Sequence, residues 1–448
     1  MYSKSFNVEI KKKISPFKKE IKIDSDKSIS IRSFLISSIS QNISIIKNVL
    51  ESDDVFSTIK CLRKLGVKIE KKGKGNYLVY GKGLGSLHSK KNLELNFGNS
   101  GTLARLLIGV LTTTPNIELK VTGDHSLNKR SMKKLILLMS KFGATFLPKN
   151  RFNFPLKIIS SELPVGINYT AEVSAQLKSA VILAGLNSYG KTKISESHKS
   201  RNHTENMLRN NLKVIKVKEG NTNFIEVFGK RELKKININV PADPSSAAFY
   251  TALTLLNKDS SIKMKNVCLN KTRIGFFNLL KKQGAKIKFE NLIKENNEIK
   301  GDISVKSSNL KPINASKKYY VNSTDEYPIL FVIAALTKGI SKFYGIGDLA
   351  NKESNRIKEM QKILRQVGIR SISTKDNIKI FGKGRFESNK KQIKVKKLGD
   401  HRICMSTFVL ASLTGAITKI NNFETVNTSS PSFLRIMKQL GASFEIQK

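Results

Sequence analysis

Repetition is the feature that most limits how this chain can fold. A short amphipathic helix, a glycine-containing turn and a strand recur at 54–70, 131–146, 276–289, 356–373 and 433–446, with a glycine-free copy at 205–217. A second unit alternates with it, an apolar helix rich in small residues followed by an alternating strand, at 28–49, 102–121, 175–194, 246–267, 326–344 and 401–420. Each unit occurs six times, with a period of about 70–80 residues, the mark of a repeat architecture. The second helix type is apolar nearly all round and belongs inside; the first has one lysine-rich face and belongs half outside. Repeats of this kind predict an α/β protein in which outer helices cover sheets and inner helices meet one another. The turn-rich run Val240-Pro241-Ala242-Asp243-Pro244 divides the chain into two halves of three units. The first twenty residues precede the first unit and need partners elsewhere. No low-complexity linker is present, which predicts a hinge between the halves instead of a tether.

The inner helices start in an unusual way. Their first turns carry Asp26-Lys27-Ser28 with Arg32, Asn99-Ser100-Gly101-Thr102 with Arg105, Ser174-Ala175-Gln176, Asp243-Pro244-Ser245-Ser246, Asp325-Glu326, and Asp400-His401-Arg402. Any one cluster reads as a helix cap. If the repeats are equivalent, six helix N-termini fall at equivalent ends and their dipoles aim at a common region. That is a composite site for a ligand with several phosphate or carboxylate groups. Gly98 and Gly101 allow a tight turn in the second cluster, with Thr102 as the expected cap. In 352–356, Lys352 and Arg356 are expected to share a face at the opening of the fifth outer helix. A first turn favours acidic side chains over two cations unless an anion is bound there. Asp325 and Glu353 are the candidate acid–base carboxylates near these cations. Arg130 follows a glycine loop after a strand.

Charge and cysteine content exclude other classes. The net charge of +46 comes from 80 Lys and Arg against 34 Asp and Glu, dispersed along the chain, and aromatics make up only 7%. A nucleic-acid binder concentrates its charge in a tail or stripe with interleaved aromatics; spread lysine is solvated surface, and no nucleic-acid partner is expected. Cys61, Cys268 and Cys404 are isolated, which fits a reducing compartment and argues against thiol chemistry or a metal framework. Residues 1–20 contain no apolar signal core, and no run approaches the roughly 18 apolar residues of a membrane span. A cytoplasmic protein without a membrane partner is expected. Gly185-Leu186-Asn187-Ser188-Tyr189-Gly190-Lys191-Thr192 matches the phosphate-binding pattern GxxxxGK[ST], yet a helix precedes it and a strand follows it. That order is reversed and removes the helix N-terminus the motif requires. His198 and His203 lack neighbouring ligands in the sequence, and 73–85 reads as a hairpin.

Taken in order, the blocks Lys27-Ser28 with Arg32, 99–105, Arg130, Ser174-Ala175-Gln176, Arg201-Asn202-His203-Thr204-Glu205, Asp325-Glu326, 352–356 and 399–402 resemble the 5-enolpyruvylshikimate-3-phosphate synthase family, from about residue 18 to the end. Ser174-Ala175-Gln176 is similar to the bacterial branch with that tripeptide. The resemblance implies an inside-out α/β barrel of two domains, each with three βαβαββ units: 22–240, and 1–21 joined with 241–448. It implies enolpyruvyl transfer from phosphoenolpyruvate to shikimate 3-phosphate in aromatic amino acid biosynthesis, by a monomer with no cofactor or metal. Lys27, Ser28, Arg32, Ser174, Ala175 through its backbone, Gln176, Arg201, Asp325 and Lys352 would hold shikimate 3-phosphate. Lys27, Asn99, Gly101, Arg130, Gln176, Arg356, His401 and Arg402 would hold phosphoenolpyruvate. Asp325, Glu353 and Lys27 would move protons. Gly101 would leave room for glyphosate, the family's inhibitor. Some positions depart from the family pattern: Asp24-Ser25 stand for Pro-Gly, Ile31 for His, Thr428 for the Lys of one branch, Ser430 for Phe, and Asn202 and Asn355 for Asp.

Overall fold

The computed structural model describes residues 5–388, 391–396 and 398–447. Its strands form six separate sheets of four strands with one recurring topology. In one, the order is Ile238–Asn239, Ile43–Lys47, Asn76–Tyr80, Lys68–Gly73. The first two strands are parallel and the next pair is antiparallel. The other five sheets open with the same parallel and antiparallel pairs. In four sheets a crossover carrying an inner helix joins the parallel pair; in the other two the parallel strand, Ile238–Asn239 or Lys18–Ile21, comes from a distant part of the chain.

Both helix types behave as their patterns require. All residues of the inner helices Pro244–Leu256 and His401–Thr414 are buried. The outer helix Asp53–Lys64 buries Val55, Ile59 and Leu62 and exposes Lys60, Arg63 and Lys64. Each fully buried Leu, Ile or Val contributes about 1.5–3 kcal/mol, so the inner helices anchor the structure. The inner helices Gly101–Thr113 and Ala175–Leu186 approach closely because Gly109 has no side chain; a Cβ there would lie 2.6 Å from the Ala180 carbonyl oxygen.

The chain forms two compact units. One contains Ser25–Val240 and Glu295–Glu298. The other contains the segment up to Asp24, Pro241–Lys294 and Ile299 onward. Each unit has three of the sheets and three inner helices. The N-terminal segment finds its partners in the second unit. Asn7–Ile10 lies between Ile417–Ile420 and Phe444–Gln447, with Val8 opposite Ile420 and Ile446. Lys18–Ile21 pairs in parallel with Ser261–Cys268. Among the described residues no helix is long and apolar enough to cross a membrane. The GxxxxGK[ST] run joins the helix Ala175–Leu186 to the strand Lys191–Glu196, the reversed order read from the sequence.

Candidate active site

The residues singled out in the sequence fall into two groups. Lys27, Ser28, Arg32, Asn99, Gly101, Arg130, Ser174, Ala175, Gln176 and Arg201 belong to the unit with Ser25–Val240. Asp325, Lys352, Glu353, Arg356, His401 and Arg402 belong to the other.

In the first group, the Asp26 carboxylate accepts from Ile29 N at 2.8 Å and starts the helix Lys27–Ile39. This places Lys27 and Ser28 in the first turn and Arg32 one turn further. Arg32 is only 2% exposed. Its Nε donates to Thr204 Oγ1 at 3.0 Å, Nη2 to Ser179 Oγ at 3.2 Å and Nη1 to the Ser28 carbonyl at 3.1 Å. Lys27 Nζ lies 2.9 Å from Asp54 Oδ2, a partner that the sequence reading did not find.

The second inner helix corrects one expectation. Its cap is Ser100, which accepts from Leu103 N at 3.2 Å, and the helix begins at Gly101. Thr102 is thereby freed from capping and accepts from Gln176 Nε2 at 2.9 Å. Gln176 Oε1 in turn accepts from Arg105 Nη1 at 2.8 Å. Ser174 caps the helix that Ala175 opens. Arg130 Nη2 donates to Asn99 Oδ1 at 2.7 Å, and Asn99 Nδ2 donates to Asp124 Oδ2 at 2.7 Å. A Cβ on Gly101 would lie 2.7 Å from Arg105 Nη1 and 3.3 Å from Arg130 Nη1. The glycine therefore sits against two guanidinium groups. Arg201 is half-buried just before the helix His203–Leu208.

The second group centres on Arg356, which is 1% exposed. Its Nε donates to Asp400 Oδ2 at 3.0 Å, and Nη2 donates to Glu353 Oε2 at 2.6 Å. Nη1 lies 3.7 Å from Asp325 Oδ1 and makes no hydrogen bond among the described residues. Burial opposes the charge of Arg356, but Asp400, Glu353 and Asp325 together raise its pKa above the ordinary value. Asp400 also caps the helix His401–Thr414, accepting from Arg402 N at 3.0 Å. One carboxylate therefore holds the Arg356 side chain and the Arg402 backbone. Arg402 is 4% exposed, and its Nε and Nη1 have no hydrogen-bond partner among the described residues. Buried guanidinium donors left open this way suit an anion. His401 is buried at the first position of the same helix.

Two further expectations change. The outer helix starts at Arg356, with Asn355 as its cap accepting from Lys358 N at 3.1 Å. Lys352 is extended backbone before it and does not share a helix face with Arg356; its Nζ donates to Asp348 Oδ2 at 2.6 Å. His203, read as isolated, is fully buried with Nδ1 2.7 Å from Glu298 Oε1. A buried network at Asp325-Glu326 was also not legible: Ser245 Oγ donates to Glu326, while Arg273 Nη2 donates to Ser245 Oγ at 3.0 Å and Asp243 Oδ1 at 2.9 Å. All three cysteines are buried, and burial pushes the Cys61 thiol up to about 12, away from any nucleophilic role.

The family model for EPSP synthase (3-phosphoshikimate 1-carboxyvinyltransferase) matches residues 11–437. The chain belongs to the EPSP synthase family. It is 36% identical over 434 residues to the 3-phosphoshikimate 1-carboxyvinyltransferase of Paramagnetospirillum magneticum, covering 96% of each chain. The EPSP synthase structure from Acinetobacter baumannii is similar with a TM-score of 0.85 and 32% identity, over 99% of this chain and 100% of that one. The enolpyruvyl transferase NikO from Streptomyces tendae shares the fold at a TM-score of 0.77, with 13% identity and 99% of both chains covered. The inside-out α/β architecture of EPSP synthases is thus the architecture of this chain.

Proposed function

We propose that this chain joins phosphoenolpyruvate to the 5-hydroxyl of shikimate 3-phosphate, releasing phosphate, in the route to aromatic amino acids. The observation that carries the reading is the cluster of Asp325, Glu353 and Asp400 around Arg356, beside the open donors of Arg402. Addition of a hydroxyl to an enol needs a base at the oxygen, an acid at the carbon and cations on the anionic ends. Asp325 takes the proton of the 5-hydroxyl as its oxygen attacks C2 of phosphoenolpyruvate. Glu353, with Lys27, delivers a proton to C3. The resulting tetrahedral intermediate loses phosphate from C2 and a proton from C3, giving the enol ether.

Lys27, Ser28, Arg32, Ser174, the Ala175 backbone, Gln176, Arg201, Asp325 and Lys352 hold shikimate 3-phosphate in this reading. Arg356, Arg402, His401 and Arg130 hold the phosphate and carboxylate of phosphoenolpyruvate, with Lys27, Asn99, Gly101 and Gln176. Arg356 offers Nη1 and Arg402 offers Nε and Nη1 as donors that make no other hydrogen bond among the described residues. The test is phosphate release from phosphoenolpyruvate, with and without shikimate 3-phosphate. Release that depends on shikimate 3-phosphate is expected; none above background would overturn the reading.

A further inference from the structure

A side chain that binds a phosphate with a planar fork must hold that fork in one plane, and the guanidinium brings five donors that have to be satisfied. For Arg32 the plane is set by two hydroxyls. Thr204 Oγ1 accepts from Nε and Ser179 Oγ accepts from Nη2; Thr204 then donates its own proton to Ser179 Oγ at 2.9 Å. The three groups close a triangle. Thr204 is engaged as donor and acceptor at once, so its hydroxyl has a single orientation.

Thr204 lies on the six-residue helix His203–Leu208, which is too short to be stable by itself. The neighbouring residue supplies the brace. Glu205 Oε1 lies 2.7 Å from Lys178 Nζ, and the same ammonium binds Glu196 at 2.9 and 3.0 Å. Lys178 and Glu196 are 0% and 1% exposed on their side chains, and Glu205 is 2% exposed. Lys178 and Ser179 are adjacent on one helix, and Thr204 and Glu205 are adjacent on the other. The two helices are therefore joined by two rungs, one ionic (178–205) and one of hydroxyls (179–204). The ladder connects the three segments that carry Lys27 to Arg32, Ser174 to Gln176, and Arg201.

We propose that Thr204, backed by Ser179, is a positioning residue that sets the Arg32 guanidinium for an anionic group of shikimate 3-phosphate. This rests on the assignment of Arg32 to shikimate 3-phosphate. The Lys178 rung is unsuited to a test, since removing one member of a buried ion pair leaves an uncompensated charge and threatens the fold. Thr204→Val keeps the shape and removes the acceptor. Calorimetric titration of the enzyme with shikimate 3-phosphate, and separately with shikimate, reads the role without turnover. The expected result is about tenfold weaker binding of shikimate 3-phosphate, the scale of a lost hydrogen bond to a charged group; an equal loss for shikimate assigns Arg32 to the carboxylate, and a loss confined to shikimate 3-phosphate assigns it to the phosphate. In turnover, KM for shikimate 3-phosphate rises by a similar factor while kcat and KM for phosphoenolpyruvate hold. Thr204→Ser, which restores the hydroxyl, recovers wild-type values.

Unchanged affinity for shikimate 3-phosphate in Thr204→Val, or an equal rise in KM for phosphoenolpyruvate, overturns the positioning role. Failure of the unmodified enzyme to bind shikimate 3-phosphate overturns instead the substrate assignment. If Thr204→Val does not fold, Ser179→Ala removes the other acceptor, and the same loss of shikimate 3-phosphate affinity is required of it.

Discussion

Arg32, Arg105 and Arg130 in one unit and Arg356 in the other are held in opposite ways. In the unit with Ser25–Val240, hydroxyl, amide and carbonyl oxygens orient Arg32, Arg105 and Arg130. In the other unit, three carboxylates surround Arg356. A neutral acceptor fixes a guanidinium and leaves its charge to act on a ligand. A carboxylate fixes it too, but spends the charge on a partner and brings a group that can carry a proton. The first arrangement suits the holding of an anion, and the second suits proton transfer beside one. Among the proposed ligand-holding residues of the first unit, Lys27 follows the second pattern, through Asp54. That agrees with its proposed double role in binding and proton transfer.

The comparison breaks most visibly at Asp325. Asp325→Ala should lower kcat by about 10²–10⁴, the usual share of a general base, while calorimetry still detects shikimate 3-phosphate binding. A variant with near-normal turnover would remove Asp325 from the base role. Next in size is Arg356→Lys. A lysine keeps the charge but cannot reproduce a fork shared among Asp400, Glu353 and a ligand. The KM for phosphoenolpyruvate should rise about tenfold, the worth of one charge-assisted hydrogen bond. An unchanged KM would mean that the carboxylates, not a ligand, are the whole purpose of this arginine.

Gly101→Ala probes the neutral-acceptor unit with a smaller change. The added methyl would press on Arg105 Nη1 and Arg130 Nη1, the far ends of flexible side chains, so both can shift by a few tenths of an ångström. The fold should survive and the KM for phosphoenolpyruvate should rise modestly. Inhibition by glyphosate, bulkier than phosphoenolpyruvate, should weaken by a larger factor. Inhibition curves for both forms check this, and a wild-type enzyme that already resists glyphosate refutes the premise.

The repeat pattern made the fold legible because burial dictates helix type locally, and each inner helix declares itself by lacking a polar face. The positions of cations near helix starts were legible for the same reason. What holds those cations was not. Asp54, Thr204 and Ser179 reach their partners across 27, 172 and 147 residues of sequence, and no periodicity encodes such meetings. Caps were only half legible: Ser100 and Thr102 are both competent, and Ser100 caps the helix while Thr102 accepts from Gln176. Departures from the family pattern also looked independent when read singly. Ile31 is fully buried, where an apolar side chain costs nothing. Asn355 still caps its helix, as asparagine does about as well as aspartate. Asp24 and Ser430, 406 positions apart, turn out to be one contact: Ser430 Oγ donates to Asp24 Oδ2 at 2.8 Å.

That contact gives the smallest effect and the one with a definite sign in pH. Ser432 N also donates to Asp24 Oδ2, at 3.0 Å, so a single oxygen receives both bonds. Burial pushes the Asp24 carboxyl above its ordinary value, while Ser430, Ser432 and the Arg435 charge pull it down without prevailing. A carboxyl whose folded value lies above its unfolded value favours the folded state when protonated. Its contribution is present at acid pH and is lost as pH rises through the folded value. At neutral pH the buried charge is therefore a cost. Asp24→Asn keeps an oxygen for both donors and removes the charge, so it should raise Tm at pH 7 by about 1–2 °C. The gain should shrink as pH falls below the folded value, where the wild-type carboxyl is itself neutral. Thermal unfolding of both forms across that range decides it: a gain that stays constant with pH would show that the charge of Asp24 is compensated within its own unit, as the charge of Arg356 is.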